Sequence, residues 1–217
     1  MSEGPELAKL LARRGIRDER VLAALASVPR ELFVPERLRR HAYTDRALPI
    51  GSGQTISQPF MVATMLEALA LDGGRVLDVG TGSGYQAALL AELADEVVTI
   101  ELVPELAEQA RATLERAGFG RVDVRVGDGT LGVAELAPFD AIVVAAAAPA
   151  VPEALYRQLA PGGRLVVPVG TRREQWLEIV VRGDDGPERR RTVPCRFVPL
   201  LGAGGFDERR FDEQRRG

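Results

Sequence analysis

Residues 75–84 read RVLDVGTGSG, a short apolar run that leads directly into a loop with glycine at every second position. The segment GYQAALLAELA at 84–94 follows with the spacing of a helix. Glycine lets the backbone turn sharply and lets a ligand approach with no Cβ in the way. A strand, a glycine loop and a helix N-terminus in this order predict a ligand site at the carboxyl edge of a parallel sheet.

The chain around this loop alternates between strand and helix patterns. Such alternation implies right-handed crossovers and a mainly parallel sheet with helices on both faces, which is a doubly wound, Rossmann-like α/β fold. The predicted strands are 75–80, 96–101, 122–128, 139–146 and 163–170, and the predicted helices are 61–71, 84–94, 104–118 and 152–159.

The two ends of the chain depart from this alternation. Apolar residues at helical spacing predict an N-terminal helical cap, with Asp18 as the N-cap of its second helix. Residues 41–59 follow neither period and predict an ordered loop of a length that is usually functional. Strand patterns at 175–183 and 190–202, with no helix between them, predict an antiparallel C-terminal edge hairpin. We expect one domain with three parts: a cap and loop at 1–60, a core at 61–206 and a charged tail at 207–217.

The composition of the 217-residue chain argues against several classes of protein. A formal net charge of -3 creates no field that attracts nucleic acid, so we expect none as a partner. No apolar run approaches the roughly 20 residues that a membrane span needs, and the N-terminus does not resemble a secretory signal. With one cysteine, Cys195, and one histidine, His41, no metal site or internal disulfide is expected. The expectation is a cytoplasmic monomer that contacts no membrane.

The glycine loop itself narrows the choice of ligand. A dinucleotide fingerprint requires G-x-G-x-x-G, but Tyr85 stands where the third glycine would be. No Lys-Ser or Lys-Thr pair follows, which argues against a Walker loop. Asp78 precedes the loop by two residues, where a carboxylate would repel a pyrophosphate. It would suit a positively charged ligand, such as one with an amino group and a sulfonium.

Acidic residues end the next two predicted strands. Glu101 is about 20 residues beyond the loop, where an acidic side chain accepts hydrogen bonds from ribose hydroxyls. Asp128, in the sequence Gly127-Asp128-Gly129, ends the third strand and can reach a base. With Asp78, these residues predict one electronegative trough of adenosine size. The alternative is that the glycines form a tight turn and that the acids are solvated caps.

The motifs DVGTGSGY, TIE and GDG, at 78–85, 99–101 and 127–129, resemble the class I S-adenosylmethionine-dependent methyltransferases in order and spacing. A narrower resemblance is to the protein-L-isoaspartate O-methyltransferase family. It extends over nearly the whole chain, and its most specific part is AYTDRALPIGSGQTISQPFMVATM at 42–65, because generic methyltransferases have nothing like GQTISQP there. The further matching segments are FVP at 33–35, APFDAIVVAAAAPAVPEAL at 137–155, QLAPGGRLVVPVG at 158–170 and RFVPLLG at 196–202.

This resemblance implies an enzyme that takes a methyl group from S-adenosyl-L-methionine and releases S-adenosyl-L-homocysteine. The implied acceptor is the free α-carboxylate of an L-isoaspartyl residue in a damaged polypeptide, and the ester formed collapses to a succinimide that partly reopens as aspartate. The family's active-site serine corresponds to Ser57. The expected cofactor-binding residues are Asp78, Gly80, Thr81, Gly82, Ser83, Gly84, Glu101, Asp128 and Gly129.

The scarcity of catalytic side chains agrees with this reaction. A carboxylate is already ionised at pH 7, with a reference pKa of about 4, and needs no general base. Methyl transfer then depends mainly on alignment, for which Thr55 and Ser57 offer hydroxyl hydrogen bonds. The structural alternative for both hydroxyls is an ST-turn that stabilises the loop. Thr130, Val133 and Ala145 depart from residues common in the family, on the base side and rim of the site.

Two other functions remain open at this point. One is a methyltransferase of the same fold that acts on a small molecule or on nucleic acid, which would lack the 42–60 loop. The other is a module that binds an adenosine ligand and has lost its chemistry, against which the intact Ser57 argues.

Overall fold

Six α-helices and nine β-strands are formed by residues 3–171 and 173–207, the part of the chain that the computed structural model describes. The predicted charged tail lies outside the described residues, apart from its first residue, Asp207. The helices are α1 (Gly4–Arg13), α2 (Glu19–Ser27), α3 (Pro59–Leu69), α4 (Tyr85–Ala91), α5 (Pro104–Arg116) and α6 (Glu153–Arg157). The strands are β1 (Leu48–Gly51), β2 (Gln54–Ile56), β3 (Arg75–Val79), β4 (Glu96–Glu101), β5 (Asp123–Val126), β6 (Phe139–Val144), β7 (Leu159–Gly170), β8 (Gln175–Gly183) and β9 (Gly186–Cys195).

The central sheet has the strand order β5-β4-β3-β6-β7-β8-β9. Strands β3 to β7 run parallel, and β8 and β9 add an antiparallel hairpin at one edge. Helices α1 and α2 pack against each other, and α2 contacts α3 and α4. The predicted doubly wound sheet with an edge hairpin and an N-terminal helical cap is therefore confirmed. Asp18 caps α2 as predicted, since its Oδ1 accepts hydrogen bonds from the amides of Arg20 and Val21.

Both faces of the sheet carry an apolar core. Neighbouring residues of β3 point to opposite faces, so Val76 belongs to the core beneath the N-terminal helices and Leu77 to the core on the other side. Strands buried on both faces are continuous apolar runs in sequence, which is why RVLDV and FDAIVV were recognisable. No helix among the described residues has the length and apolar character needed to cross a membrane.

Residues 41–59 are more regular than the sequence indicates, and the prediction of a loop was wrong for part of this segment. Strands β1 and β2 form a hairpin that pairs Leu48 with Ile56, both of which are buried. The turn uses Ser52 and Gly53, both at positive φ, as tight hairpin turns require. Strands of four and three residues are too short to show a period, and this hides the hairpin in the sequence.

The C-terminal element boundaries also differ from prediction. The last strand is Gly186–Cys195 and not 190–202, because the chain turns at Asp184 and Asp185 and leaves the sheet after Cys195. Strand β7 starts at Leu159, although Pro161-Gly162-Gly163 is typical of a turn, and the ladder to β6 is irregular there. Helix α6 is correspondingly shorter than predicted.

The strand order places a crevice at the carboxyl end of β3. Strand β3 lies between β4 and β6, so the order of connection reverses beside it, and ligands of open α/β sheets bind at such a point. Val79 pairs with Ile100 on one side and with Val144 on the other, which brings three strand ends to one level.

Candidate active site

A cavity of about 460 Å³ opens at these strand ends. Its walls come from the β1-β2 hairpin and the residue after it, the glycine loop, the end of β4, the residue after Asp128, the residues after β6 and the C-terminal segment after β9. Among its lining residues are Thr55, Ser57, Gly80, Thr81, Gly82, Ser83, Glu101, Gly129, Ala145, Pro199 and Leu200. Most of the predicted site residues therefore share one cavity. Asp78, Gly84 and Asp128 do not line it.

The three glycines of the loop have backbone conformations that other residues rarely adopt. Gly80, Gly82 and Gly84 have φ values of 94°, 53° and 87°. Gly84 lies behind the cavity, where a Cβ would come within 3.1 Å of Leu114 in α5. The loop sequence thus has two physical requirements, positive φ at alternate positions and close packing of the loop against α5.

Glu101 joins the end of β4 to the glycine loop. Its Oε2 accepts a hydrogen bond from the Gly82 amide at 2.8 Å, and its Oε1 accepts one from the Val103 amide at 3.1 Å. The carboxylate lines the cavity and is 7% exposed. Because a carboxylate has about four acceptor positions, Glu101 keeps capacity for hydroxyl donors inside the cavity.

Asp78 lies behind the cavity wall, and its position does not match the expected direct contact with a charged ligand. It is fully buried, with Oδ1 accepting from Gln86 Nε2 at 2.8 Å and Oδ2 from the Thr99 hydroxyl at 2.9 Å. Burial raises the pKa of Asp78 to about 7, against the lowering effect of these two hydrogen bonds. Because Thr99 donates its only hydroxyl proton to Asp78, Thr81 must donate to Thr99 across 2.7 Å. Asp78 therefore reaches the cavity wall by two routes, directly through Gln86 and by way of Thr99 through Thr81.

Asp128 binds the C-terminal segment. Its Oδ1 accepts from the amide and hydroxyl of Thr130, and its Oδ2 accepts from the Ala203 amide at 2.8 Å. Burial raises the pKa of Asp128, but the hydrogen bonds from Thr130 and Ala203 outweigh it and hold the pKa below its ordinary value. The predicted contact with a base is not visible in this arrangement, in which both oxygens hold protein donors.

A second cavity, of about 340 Å³, adjoins the first. Four residues line both cavities: Thr55, Ser57, Ala145 and Val198. The outer walls of the second cavity include Asp45, Arg46, Cys195 and Arg196. Neither the Thr55 nor the Ser57 hydroxyl has a hydrogen-bond partner among the described residues, so an ST-turn does not occupy them. Both hydroxyls are free to bind a group that lies between the two cavities.

Comparison with known proteins agrees with this geometry. A family model described as protein-L-isoaspartate(D-aspartate) O-methyltransferase (PCMT) matches residues 3–204. The chain belongs to this family. It is 60% identical to protein-L-isoaspartate O-methyltransferase 2 of Marinobacter nauticus, over 90% of this chain and 91% of the relative. It is 58% identical to protein-L-isoaspartate O-methyltransferase 1 of Anaeromyxobacter sp., over 94% of this chain and 98% of the relative.

Solved structures from the protein-L-isoaspartate O-methyltransferase family have the same fold. One, named protein-L-isoaspartate O-methyltransferase, superposes with a TM-score of 0.84 at 31% identity, covering 100% of this chain and 70% of that one. Another, from Plasmodium falciparum, is assigned to the same activity and described in complex with S-adenosyl-L-homocysteine. It superposes with a TM-score of 0.79 at 28% identity, covering 91% of this chain and 98% of that one.

Some residues of the site were missed by sequence reasoning. Gln86 and Thr99, which bind Asp78, have no motif of their own, although Gln86 is the one strongly polar residue of the otherwise apolar, fully buried helix α4. A polar residue in an apolar helix could have indicated a buried partner such as Asp78. Of the departures from the protein-L-isoaspartate O-methyltransferase pattern, Thr130 holds Asp128 and Val133 packs in the core, while Ala145 lines both cavities.

Proposed function

We propose that the protein transfers a methyl group from S-adenosyl-L-methionine to the free α-carboxylate of L-isoaspartyl residues in polypeptides, with S-adenosyl-L-homocysteine as the product. The observation that carries this proposal is the position of Thr55 and Ser57. They line the boundary between the cavity of the glycine loop and a second cavity that can receive a polypeptide. Membership of the protein-L-isoaspartate O-methyltransferase family supports both the donor and the acceptor.

The first cavity fits the cofactor. Its volume of about 460 Å³ is in the range of cofactor sites, and apolar Ile100, Leu102 and Leu200 face it together with the Glu101 carboxylate. We propose that Glu101 accepts hydrogen bonds from the ribose and that Gly80, Thr81, Gly82, Ser83 and Gly129 enclose the cofactor. Asp78, Gly84 and Asp128 are proposed to act from behind these residues. When bound, S-adenosyl-L-methionine supplies an activated methyl group whose transfer leaves a neutral thioether.

The chain's own contribution to the chemistry is alignment of the acceptor. An isoaspartyl carboxylate is ionised at neutral pH, so no side chain has to remove a proton. The Ser57 and Thr55 hydroxyls donate hydrogen bonds that hold this carboxylate at the mouth of the first cavity. Effective molarities of well-oriented reactants show that such positioning can supply several kcal/mol of rate enhancement, roughly 7–11 kcal/mol at most. The next backbone amide nitrogen then attacks the ester carbonyl and methanol leaves, and water partly reopens the resulting succinimide as aspartate.

The test is methyl transfer from radiolabelled S-adenosyl-L-methionine to two peptides that differ only in one residue, isoaspartate or aspartate. We expect label on the isoaspartyl peptide alone, released by mild base as expected for an ester. Equal labelling of both peptides would refute the acceptor, and labelling of neither would refute the activity. A non-catalytic binding module predicts this last result together with normal affinity for S-adenosyl-L-homocysteine.

We further propose that the protein works as a monomer in the cytoplasm, with neither nucleic acid nor a membrane as partner. The net charge of -3 supports the statement on nucleic acid, since it creates no attractive field. The single cysteine, Cys195, suits a reducing compartment, because it cannot form a disulfide within the chain. Sedimentation equilibrium and cell fractionation test the two statements on assembly and location.

A further inference from the structure

Arg30 is the largest side chain that is completely buried among the described residues. It begins the short 3-10 helix Arg30–Phe33 that follows α2. Its Nε donates to the Ala42 carbonyl at 2.8 Å, and its Nη2 donates to the Ser57 carbonyl, also at 2.8 Å. One guanidinium therefore ties together the two ends of the segment that contains the β1-β2 hairpin and the candidate catalytic hydroxyls.

Burial of the charged Arg30 guanidinium costs free energy. No carboxylate forms an ion pair with it within the described part of the chain, and burial lowers its pKa. Its guanidinium lies 4.7 Å from the centre of the Tyr85 ring, which offers a cation–π contact. The Arg30 Nη1 and the Tyr85 hydroxyl are both buried, and neither has a hydrogen bond of ordinary length among the described residues, although the Tyr85 oxygen attracts the guanidinium and opposes the lowering of its pKa. Burying a charge costs free energy, which the two carbonyl hydrogen bonds and the contact with the Tyr85 ring offset in part.

The contacts of Arg30 connect the two sides of the candidate active site. Ser57 lies at the boundary of the two cavities, and Tyr85, on which Arg30 stacks, begins α4 directly after the glycine loop and lines the first cavity. Arg30 is consequently hydrogen-bonded to Ser57, on the side of the methyl acceptor, and stacked on Tyr85, on the side of the methyl donor. Arg30 is therefore one of the side chains that fix the Ser57 backbone relative to the glycine-loop cavity.

We propose that Arg30 is a positioning residue for methyl transfer, which acts by fixing the Ser57 backbone relative to the glycine-loop side through Tyr85. This inference rests on the proposed function. It deepens that function by adding a residue that touches neither cavity but determines how Ser57 is presented. A lysine at the same place keeps the charge, but its single ammonium cannot reproduce the planar fork that reaches two separate carbonyls.

The test compares Arg30→Lys with a control at Arg20, whose guanidinium also donates to two backbone carbonyls, those of Leu71 and Leu93, away from both cavities. For Arg30→Lys we expect kcat on isoaspartyl peptide to fall about 10- to 100-fold, since misplacement by about 1 Å has such effects. Affinity for S-adenosyl-L-homocysteine, from calorimetry, should change less than about threefold. Arg20→Lys should keep kcat within about twofold even if its melting temperature falls.

A double-mutant cycle with Ser57→Ala distinguishes positioning from general support of the fold. If Arg30 acts through Ser57, Arg30→Lys should change kcat less than about threefold in the Ser57→Ala background. Additive losses, or unchanged kcat in Arg30→Lys alone, would overturn the inference while wild-type methylation still upholds the proposed function. No methylation by the wild type would instead refute the function itself. If Arg30→Lys does not fold, Arg30→Gln serves in the same cycle with the same expectations.

Discussion

The glycine-loop side of the site and the hairpin side are built in different ways. The glycine loop continues the sheet, with the Gly80 amide bonded to the Ile100 carbonyl and the Gly82 amide bonded to Glu101. The hairpin side, 42–57, lies outside the central sheet, and the glycines of its turn are exposed. It is held in place by Arg30, which donates to both its ends, and by its own Asp45, which accepts from Gln58 and from the Phe60 amide.

The difference indicates a division of labour between binding and alignment. The Gly80 and Gly82 amides on the glycine-loop side are bonded within the protein, so this side is arranged in advance for the donor. The Thr55 and Ser57 hydroxyls on the hairpin side have no partner among the described residues. Changes on the glycine-loop side should therefore alter cofactor affinity, and changes on the hairpin side should alter turnover. Substitutions on the two sides can therefore test that separation.

The largest effect is expected for Ser57→Ala. Loss of a donor that aligns the reacting carboxylate should lower kcat about 100-fold, comparable to removing one oxyanion-hole donor. Affinity for S-adenosyl-L-homocysteine, measured by calorimetry, should stay within about threefold of wild type. Thr44→Ala is the control, because the Thr44 hydroxyl donates to the His41 carbonyl and lines neither cavity. Loss of cofactor affinity in Ser57→Ala would show that binding and alignment are not separated between the two sides. Unchanged turnover would show that Ser57 does not align the carboxylate.

The second-largest effect is expected on the glycine-loop side. Glu101→Ala should weaken binding of S-adenosyl-L-homocysteine by about 1–3 kcal/mol, since it removes a charged acceptor and leaves the Gly82 and Val103 amides without their partner. Glu101→Gln should weaken binding less, because its amide oxygen can keep one of the two bonds. Glu105→Ala, at an exposed position of the first turn of α5, should leave affinity unchanged. Normal cofactor affinity in Glu101→Ala would contradict the ribose assignment.

The same contrast explains what could be predicted from the sequence. The glycine loop is a local pattern, in which strand, turn and helix are adjacent in the chain. Each of its glycines is favoured by a positive φ at its position. The role of Arg30 could not be predicted in this way, because its partners Ala42 and Ser57 lie 12 and 27 residues along the chain and only the fold brings them together. Acidic strand ends were recognised, yet the direction of the Asp78 carboxylate was not, since it depends on Gln86 and Thr99 packing behind the loop.

A third prediction concerns the buried acid behind the glycine loop. Burial raises the pKa of Asp78 to about 7, above the unfolded value of 3.8, so the folded state binds a proton that the unfolded state has released between these pH values. Stability contributed by this proton is complete below the unfolded pKa and is lost as the pH rises through about 7. Asp78→Asn removes this dependence. The wild type loses this stability between pH 5 and pH 8, and Asp78→Asn does not. The free energy of unfolding of Asp78→Asn minus that of the wild type should therefore rise between these pH values, by at least about 1 kcal/mol.

Urea unfolding at the two pH values measures this difference, and Asp95→Asn serves as a control at an acid outside the cavity wall. The amide that Asp78→Asn places next to Gln86 and Thr99 changes the free energy of unfolding by the same amount at both pH values. This constant cost cancels when the differences between variant and wild type at the two pH values are compared. An Asp78→Asn difference that is the same at both pH values would show that Asp78 is ionised throughout this range. The glycine-loop side would then hold a permanent negative charge behind the cofactor cavity.

The smallest effect is expected at the outer wall of the second cavity. Arg46 and Arg196 line it, both are exposed, and neither forms an ion pair among the described residues. Exposed charges interact weakly and are screened by salt, so their influence on a bound polypeptide should be modest. They should favour isoaspartyl peptides with acidic flanking residues over otherwise identical peptides with lysine flanks.

Arg196→Glu should reduce kcat/KM for the acidic-flank peptide about threefold and raise it for the lysine-flank peptide, at low ionic strength. Salt should diminish both changes, because the Debye length shrinks to about 3 Å at 1 M. Arg189→Glu makes the same change of charge at an exposed position of β9 that lines neither cavity, and should affect the two peptides equally. Equal behaviour of Arg196→Glu and Arg189→Glu would mean that the polypeptide does not pass along the second cavity. The hairpin side would then present Ser57 and Thr55 to an acceptor that enters from another direction.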